Sequence, residues 1–217
     1  TLDLAVAAGH PPQRDSARPD LQMGVKMALN QWTGMHTNAA TATTIAPLSL
    51  GVSAVSRQFT VPEFSALPSE TVNKTMAAVA IDALIPVLPA RADKKGNSLT
   101  LVGEFVNGAG IADFYSNMTG GMLMPSVANT TNLNPPPTYP QNIDNGLVVF
   151  DLNGDLHGIK WRTFVIGAEY YLPFMDGRMW VSANYSHSVS DNAKLYTRPA
   201  TGSLPNPQDS FYVSAAQ

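Results

Sequence analysis

The chain has 217 residues, a formal net charge of -3 and no cysteine. Charged residues make up 13% of it, and a soluble domain usually carries about 25%. These values argue against a disordered charged tail, a nucleic-acid binder with a basic surplus, a disulfide scaffold and any thiol chemistry. No apolar window is long enough for a transmembrane helix.

Alternation of apolar and polar residues predicts a series of antiparallel strands. In segment 21–29 every second residue is apolar, and the residues between are small, polar or charged. This period of two is that of a strand, because a helix would mix Lys26 and Gln22 into the apolar side. The other alternating segments, in chain order, are 2–8, 48–54, 99–105, 164–172 and 179–185.

Segment 75–85 is compatible with two structures. Its alanine content favours a helix capped at Ser69. Its alternation, with Val79 and Ile81 on one side, favours a strand. We predict a strand because the neighbouring segments on both sides are strands. This gives seven strands, with 210–216 as a candidate eighth.

The connections differ in length. Segments 9–20, 60–73 and 109–145 are polar loops, and the last is very long. Segments 86–97 and 173–177 contain turn signals. The stretch 30–47 is longer than a tight turn needs. Long loops on one side and turns on the other are expected of a barrel, whereas a loop as long as 109–145 is unusual in a compact soluble domain.

Three features favour a membrane barrel over a soluble sandwich. The strands are about nine to eleven residues long, as a tilted strand needs to cross a bilayer. Their second face is small and neutral. Tyr170 and Tyr185 lie near strand ends, where interfacial aromatics occur, although Trp180 has the opposite parity. We therefore predict an all-β antiparallel transmembrane barrel, or a partial barrel wall of about seven to eight strands, with residues 1–217 as one unit.

Segments 161–173 and 177–187 resemble a strand–turn–strand unit of a Gram-negative outer-membrane porin. Segment 2–29 is similar to the hairpins of phosphate-selective porins, and 48–121 has the same general pattern. The resemblance implies an outer-membrane channel for passive diffusion of small hydrophilic solutes, without cofactor, metal or catalysis, and is compatible with a homotrimer. Porins usually end on an aromatic residue and have about sixteen strands, so we expect a piece of a longer chain.

The strand parity predicts which charged residues line the lumen of such a barrel. Both signs are present, so no strong ion selectivity is expected. The alternative is that these charges pair with one another and fill space. The candidates are Lys26, Arg57, Lys74, Arg178, Asp3, Asp82, Glu104 and Glu169.

Lys160 and Arg162 fall on the lipid parity near the presumed outer end of their strand. There they are candidates to bind the phosphates of lipopolysaccharide, or they are two solvated charges. Loop 109–145 is a candidate to enter the pore as a constriction or to serve as an extracellular recognition site.

Two other functions compete with the channel. One is a soluble extracellular all-β domain that recognises a glycan or a protein through loop 109–145. The other is a barrel-embedded hydrolase using Asn184, His187 and Ser188. Adjacent strand positions point to opposite faces, which argues against the hydrolase. Segment 151–155 begins like a calcium loop, but Leu156 stands where glycine is required, so we predict a turn.

Overall fold

The structure, a computed structural model, describes residues 1–9, 18–38, 42–62, 69–114, 147–150, 155–174 and 177–192. The strands are β1 (Leu2–Gly9), β2 (Asp20–Asn38), β3 (Ala42–Pro62), β4 (Thr71–Leu88), β5 (Ser98–Ala109), β6 (Val148–Phe150), β7 (Leu156–Gly158), β8 (Lys160–Tyr171) and β9 (Trp180–Ser190). Seven of them form one antiparallel sheet in the order β1, β2, β3, β4, β5, β8, β9, and β6 pairs with β7. The predicted all-β antiparallel fold is confirmed.

The ambiguous segment 75–85 is strand, as predicted, because β4 is paired along both of its edges. This pairing overrides the helix propensity of its alanines. Strand length differs from the prediction. The strands β2, β3 and β4 have 19, 21 and 18 residues, since each continues beyond its alternating segment into what the sequence suggested was loop.

The register gives the sheet one apolar and one polar face. Val25 pairs with Val52, Val52 with Ile81, and Ile81 with Phe105, which in turn pairs with Phe164. Directly opposed residues point to the same side of a sheet. The apolar residues of neighbouring strands therefore lie side by side on one face of the sheet. We call the side that carries these residues the apolar face and the opposite side the polar face.

The two ends of the strands are also different. At one end, the loop end, β3 finishes at Pro62 and β5 finishes at Ala109. The opposite end, the turn end, contains the connection from Leu88 to Ser98. The predicted turn in this connection is present, with a bridge between Arg91 and Lys94.

At the turn end, β2 and β3 leave the plane of the sheet as a hairpin. Their pairing shifts register between Leu29 and Thr33 and then resumes. Residues 33–38 and 42–47, which we call the inner hairpin, cross the polar face, where Met35 packs against Ala90 and Tyr171. The stretch 30–47 is thus mainly paired strand.

Buried apolar packing is concentrated on the polar face, near both ends of the strands. At the loop end the β6–β7 hairpin and the residues after β5 supply the covering layer. The main cluster there contains Phe59, Val61, Met76, Ala112, Leu147, Val148 and Leu156.

Among the described residues the sheet is not closed, because β1 and β9 each have a partner on one edge only. Ala112–Phe114, after β5, form a 3-10 turn. The part of the chain that is described contains no helix long and apolar enough to span a membrane. The candidate strand 210–216 and most of loop 109–145 lie outside the described residues.

Candidate functional site on the polar face of the sheet

The apolar face is uncovered by the described part of the chain. Val52 and Ile81 are 55% and 48% exposed, although each has a neighbouring strand on both sides. A monomer rarely leaves so wide an apolar surface in contact with water. Other large exposed side chains on this face are Leu2, Leu4, Val6, Met23, Val25, Met27, Leu50, Val79, Phe105, Ile166, Val181 and Tyr185.

The apolar face ends at a defined height toward the loop end. Beyond the paired residues Ser56 and Ala77, its positions become polar, and Thr60 bonds to Asn73. On β4 the apolar positions run from 79 to 88, about 30 Å along the strand. Tilted by about 40°, such a stretch covers about 23 Å, close to the height of the apolar band on membrane barrels.

The polar face carries a row of four charged residues at mid-height. Asp3 pairs with Lys26, and Asp82 pairs with Glu104. Gly51 of β3 lies between the two pairs, and the carboxylate of Asp82 leans over it. We call Asp3, Lys26, Asp82 and Glu104 the charged row. Among these four described residues no nitrogen–oxygen contact of 4.0 Å or less joins two opposite charges.

Arg57 lies on the polar face, as its parity predicted, but its side chain is fully buried. Nε donates to Asp20 Oδ2 at 2.9 Å, and Nη1 and Nη2 donate to the two carboxylate oxygens of Asp113 at 2.6 Å. Nη1 also donates to the Gly110 carbonyl oxygen at 2.5 Å. The guanidinium lies 4.5 Å from the centroid of the Phe114 ring. Arg57 is therefore an anchor and not a solvated lining residue.

Arg57 holds the beginning of loop 109–145 against the polar face. We call residues 110–114 the inner segment. Gly110 begins it with a φ of 68°, a left-handed conformation that favours glycine. Ile111 is buried against Ala78 and Val106 of the sheet. The first residues of the predicted loop thus lie on the polar face.

A cavity of about 480 Å³ lies between the inner segment and the sheet. Phe114 and Ile111 line it from the segment, while Ser53, Asp82 and Glu104 line it from the strands. The cavity joins the inner segment to the charged row. At this level the polar face presents two carboxylates and small neutral side chains.

Glu169 is likewise on the polar face but is buried beneath the inner hairpin. Its Oε2 accepts hydrogen bonds from the Thr37 backbone N–H and from the Tyr171 hydroxyl, both at 2.9 Å. Its Oε1 lies 3.3 Å from His36 Nδ1. Glu169 therefore positions the hairpin rather than lining an open surface.

The two remaining lumen candidates are exposed. Lys74 pairs with Phe59 on the polar face at the loop end. Arg178 lies outside the strands, before β9.

The predicted interfacial tyrosines both lie on the apolar face. Tyr170 pairs with Leu99 near the turn end. Tyr185 pairs with Ile166 in the middle of β9, so its predicted position at a strand end is wrong. The alternation predicts which face of the sheet Tyr185 occupies. Its position along the strand follows only from where β9 begins and ends.

The two basic residues at the start of β8 also share the parity of the apolar face. Lys160 is exposed and pairs with Ala109. Arg162 donates from Nη2 to Asp191 Oδ1 at 2.9 Å, with both side chains largely exposed. The two cations lie at the loop end, at the border of the apolar face.

The hydrolase arrangement does not assemble. His187 pairs with Phe164 on the apolar face, whereas Ser188 bonds to Thr163 on the polar face. The described residues contain no group of three side chains suited to hold a metal ion. The strands β6 and β7 flank the predicted turn, whose residues 151–154 lie outside the described ones.

Comparisons with protein-family models, curated proteins and solved structures find no match for this chain.

Proposed function

We propose that this chain forms the wall of a porin-type transmembrane barrel in a bacterial outer membrane, through which small hydrophilic solutes diffuse passively. Its apolar face contacts lipid, and its polar face lines a water-filled lumen. The barrel needs strands in addition to the seven described, because the smallest membrane barrels have eight.

The observation that carries the proposal is the apolar face itself. It extends over all seven strands of the sheet, no described residue covers it, and the opposite side of the same sheet is polar. Burying such a surface in hydrocarbon is favourable by about 25 cal/mol for each Å² removed from water. In a soluble domain a second layer has to cover it, and the described residues place their covering layers on the polar face instead.

The polar face suits a passage for solutes because of its composition. On β9 the positions facing this side after Trp180 are Ser182, Asn184, Ser186, Ser188 and Ser190. These hydroxyl and amide groups replace part of the hydration of a polar solute without holding it tightly. The inner segment narrows the space over this wall, in keeping with the predicted constricting role of loop 109–145.

Alternating cysteine substitution tests the orientation of the two faces. The chain has no cysteine, so each variant presents a single thiol. In lipid vesicles, Ser53→Cys and Ser186→Cys, at two exposed positions of the polar face, should react with a membrane-impermeant thiol reagent. Leu50→Cys and Val52→Cys should react much more slowly. Equal reactivity of the two sets would rule out the lipid-facing orientation.

Channel formation is tested separately, by conductance of the purified full-length protein in planar lipid bilayers. Discrete conductance steps are expected, as is a need for detergent during extraction. A soluble extracellular binding domain would remain in solution without detergent and would give no conductance steps. Either result would contradict the channel proposal and favour the binding domain.

Lys160 and Arg162 are proposed to bind phosphates of lipopolysaccharide at the border of the apolar face. The double variant Lys160→Ala/Arg162→Ala should bind lipopolysaccharide more weakly and unfold at a lower temperature in its presence. Unchanged binding and stability would leave the two residues as solvated charges.

A further inference from the structure

We propose that the inner hairpin is a second constriction, at the turn end of the lumen, which sets the largest solute that passes. This inference rests on the proposed channel function and goes beyond it. The inner segment narrows the loop end, whereas the hairpin crosses the polar face at the opposite end.

The hairpin is attached to β5 by hydrogen bonds on the polar face. The Met35 backbone N–H donates to Ser98 Oγ at 3.2 Å, and Thr100 Oγ1 donates to the Met35 carbonyl oxygen at 2.6 Å. Ser98 and Thr100 are both fully buried as a result. The hairpin thus seals part of the wall from water.

The attachment extends across the sheet to β8. The Thr37 hydroxyl lies 2.6 Å from the Tyr171 hydroxyl, and the Thr37 backbone N–H donates to Glu169. From its origin in β2 and β3, the hairpin therefore passes over β4 and β5 to reach β8. Neighbouring strands lie about 4.8 Å apart, so it spans about 15 to 20 Å of the polar face.

The hairpin lies close against the wall. A Cβ added at Gly34 would stand 2.6 Å from Thr100 Oγ1 and 2.7 Å from Pro86 Cβ. At its stem, Thr33 exchanges hydrogen bonds with Ala90, and Trp32 Nε1 donates to the Pro86 carbonyl oxygen at 2.7 Å. These contacts fix the hairpin at its base as well as along its length.

Closing the sheet does not require this hairpin. A two-residue turn suffices to join antiparallel strands, and Thr33 already pairs with Pro47. Among the described hairpin residues beyond this pair, none is a large exposed apolar side chain that would extend the apolar face. These residues form a layer over the polar face. Such a layer narrows the lumen through which a solute passes.

The test shortens the hairpin. One variant replaces residues 34–46 by Asn-Gly, so that a tight turn follows Thr33. Its control, Ala92→Asn/Asp93→Gly, places the same dipeptide in the exposed turn at the same end. Single-channel conductance and the largest polyethylene glycol that enters the pore are measured in planar bilayers.

The shortened variant should conduct about twofold more or higher, and should admit larger polymers, because a narrow section limits the current. The control should match the wild-type chain. If the wild-type chain conducts and shortening changes neither quantity, the hairpin proposal is overturned while the channel remains. A wild-type chain that never conducts overturns the channel proposal itself.

A point variant covers the case in which the shortened chain does not fold. Thr37→Val/Glu169→Gln weakens the attachment to β8 while keeping the chain length. It should show excursions to a larger conductance level that the wild-type chain lacks. A steady wild-type conductance in this variant also overturns the hairpin proposal.

Discussion

Arg57 holds Asp113 through two parallel hydrogen bonds of 2.6 Å, although 56 residues separate them in the chain. This fork-to-fork geometry is the strongest form that a carboxylate–guanidinium pair takes. One end of the pair belongs to the sheet and the other to the inner segment. The position of the inner segment therefore depends on a buried charge pair.

Replacing Arg57 by alanine should lower the free energy of unfolding by about 3–5 kcal/mol, because the carboxylates of Asp20 and Asp113 lose their buried cation. Urea unfolding in detergent measures the change. Lys74→Ala is the control, since Lys74 is an exposed cation on the same face and at the same end. It should change stability by less than about 0.5 kcal/mol. Similar losses in both variants would contradict the anchoring role of Arg57.

Arginine substitution distinguishes the two faces energetically. Val52→Arg places a cation near the middle of the apolar face and should cost about 2–4 kcal/mol in a lipid bilayer. Ser53→Arg, one residue further along the same strand, should cost less than about 1 kcal/mol because its side chain reaches water. Unfolding in lipid vesicles gives both values. Equal costs would mean that the apolar face does not contact lipid.

Neutralising one carboxylate of the charged row should stabilise the protein slightly. Asp82 and Glu104 oppose each other directly, and like charges in this arrangement destabilise a sheet by about 0.2–1 kcal/mol. Asp82→Asn should therefore raise the free energy of unfolding by part of this amount. Under a salt gradient it should also move the reversal potential toward that of the anion. Asp93→Asn, in the exposed turn, should do neither, and a shift in that control would point to a general charge effect.

Gly110→Ala should destabilise the attachment of the inner segment by more than about 1 kcal/mol. The φ at this position is 68°, and an added Cβ would lie 2.7 Å from Phe59 Cε2. Gly103→Ala is the matched control, because the nearest atom to its added Cβ, the Val165 carbonyl oxygen, is 3.5 Å away. Thermal unfolding compares the two. If Gly103→Ala lost as much stability as Gly110→Ala, the loss at Gly110 would not be due to its left-handed backbone conformation.

The faces of the sheet were predictable because alternation is local. The pattern around Val25 and Val52 fixes which side of the strand each residue occupies before any partner strand is known. The partners of Arg57 were not predictable, since Asp113 reaches it only through the fold. Asp20 shares the parity of Gln22, so its pairing with Arg57 would follow once the β2–β3 register was known.

The inner hairpin was missed for a different reason. Its stem contains a register shift after Leu29, and such a bulge breaks the period on which the strand prediction depends. The sequence pattern therefore indicates a long connection at 30–47, where β2 and β3 in fact continue as paired strands. Likewise, the burial of Glu169 depends on the hairpin that covers it, and parity alone specifies only its side of the sheet.

The meander of seven strands has an odd count, and its first and last members, β1 and β9, therefore run in the same direction. Any cylinder that contains this sheet and keeps every neighbouring pair antiparallel must insert an odd number of strands between those two edges. A direct seam between them, within one copy or between two copies that share the barrel axis, would be parallel.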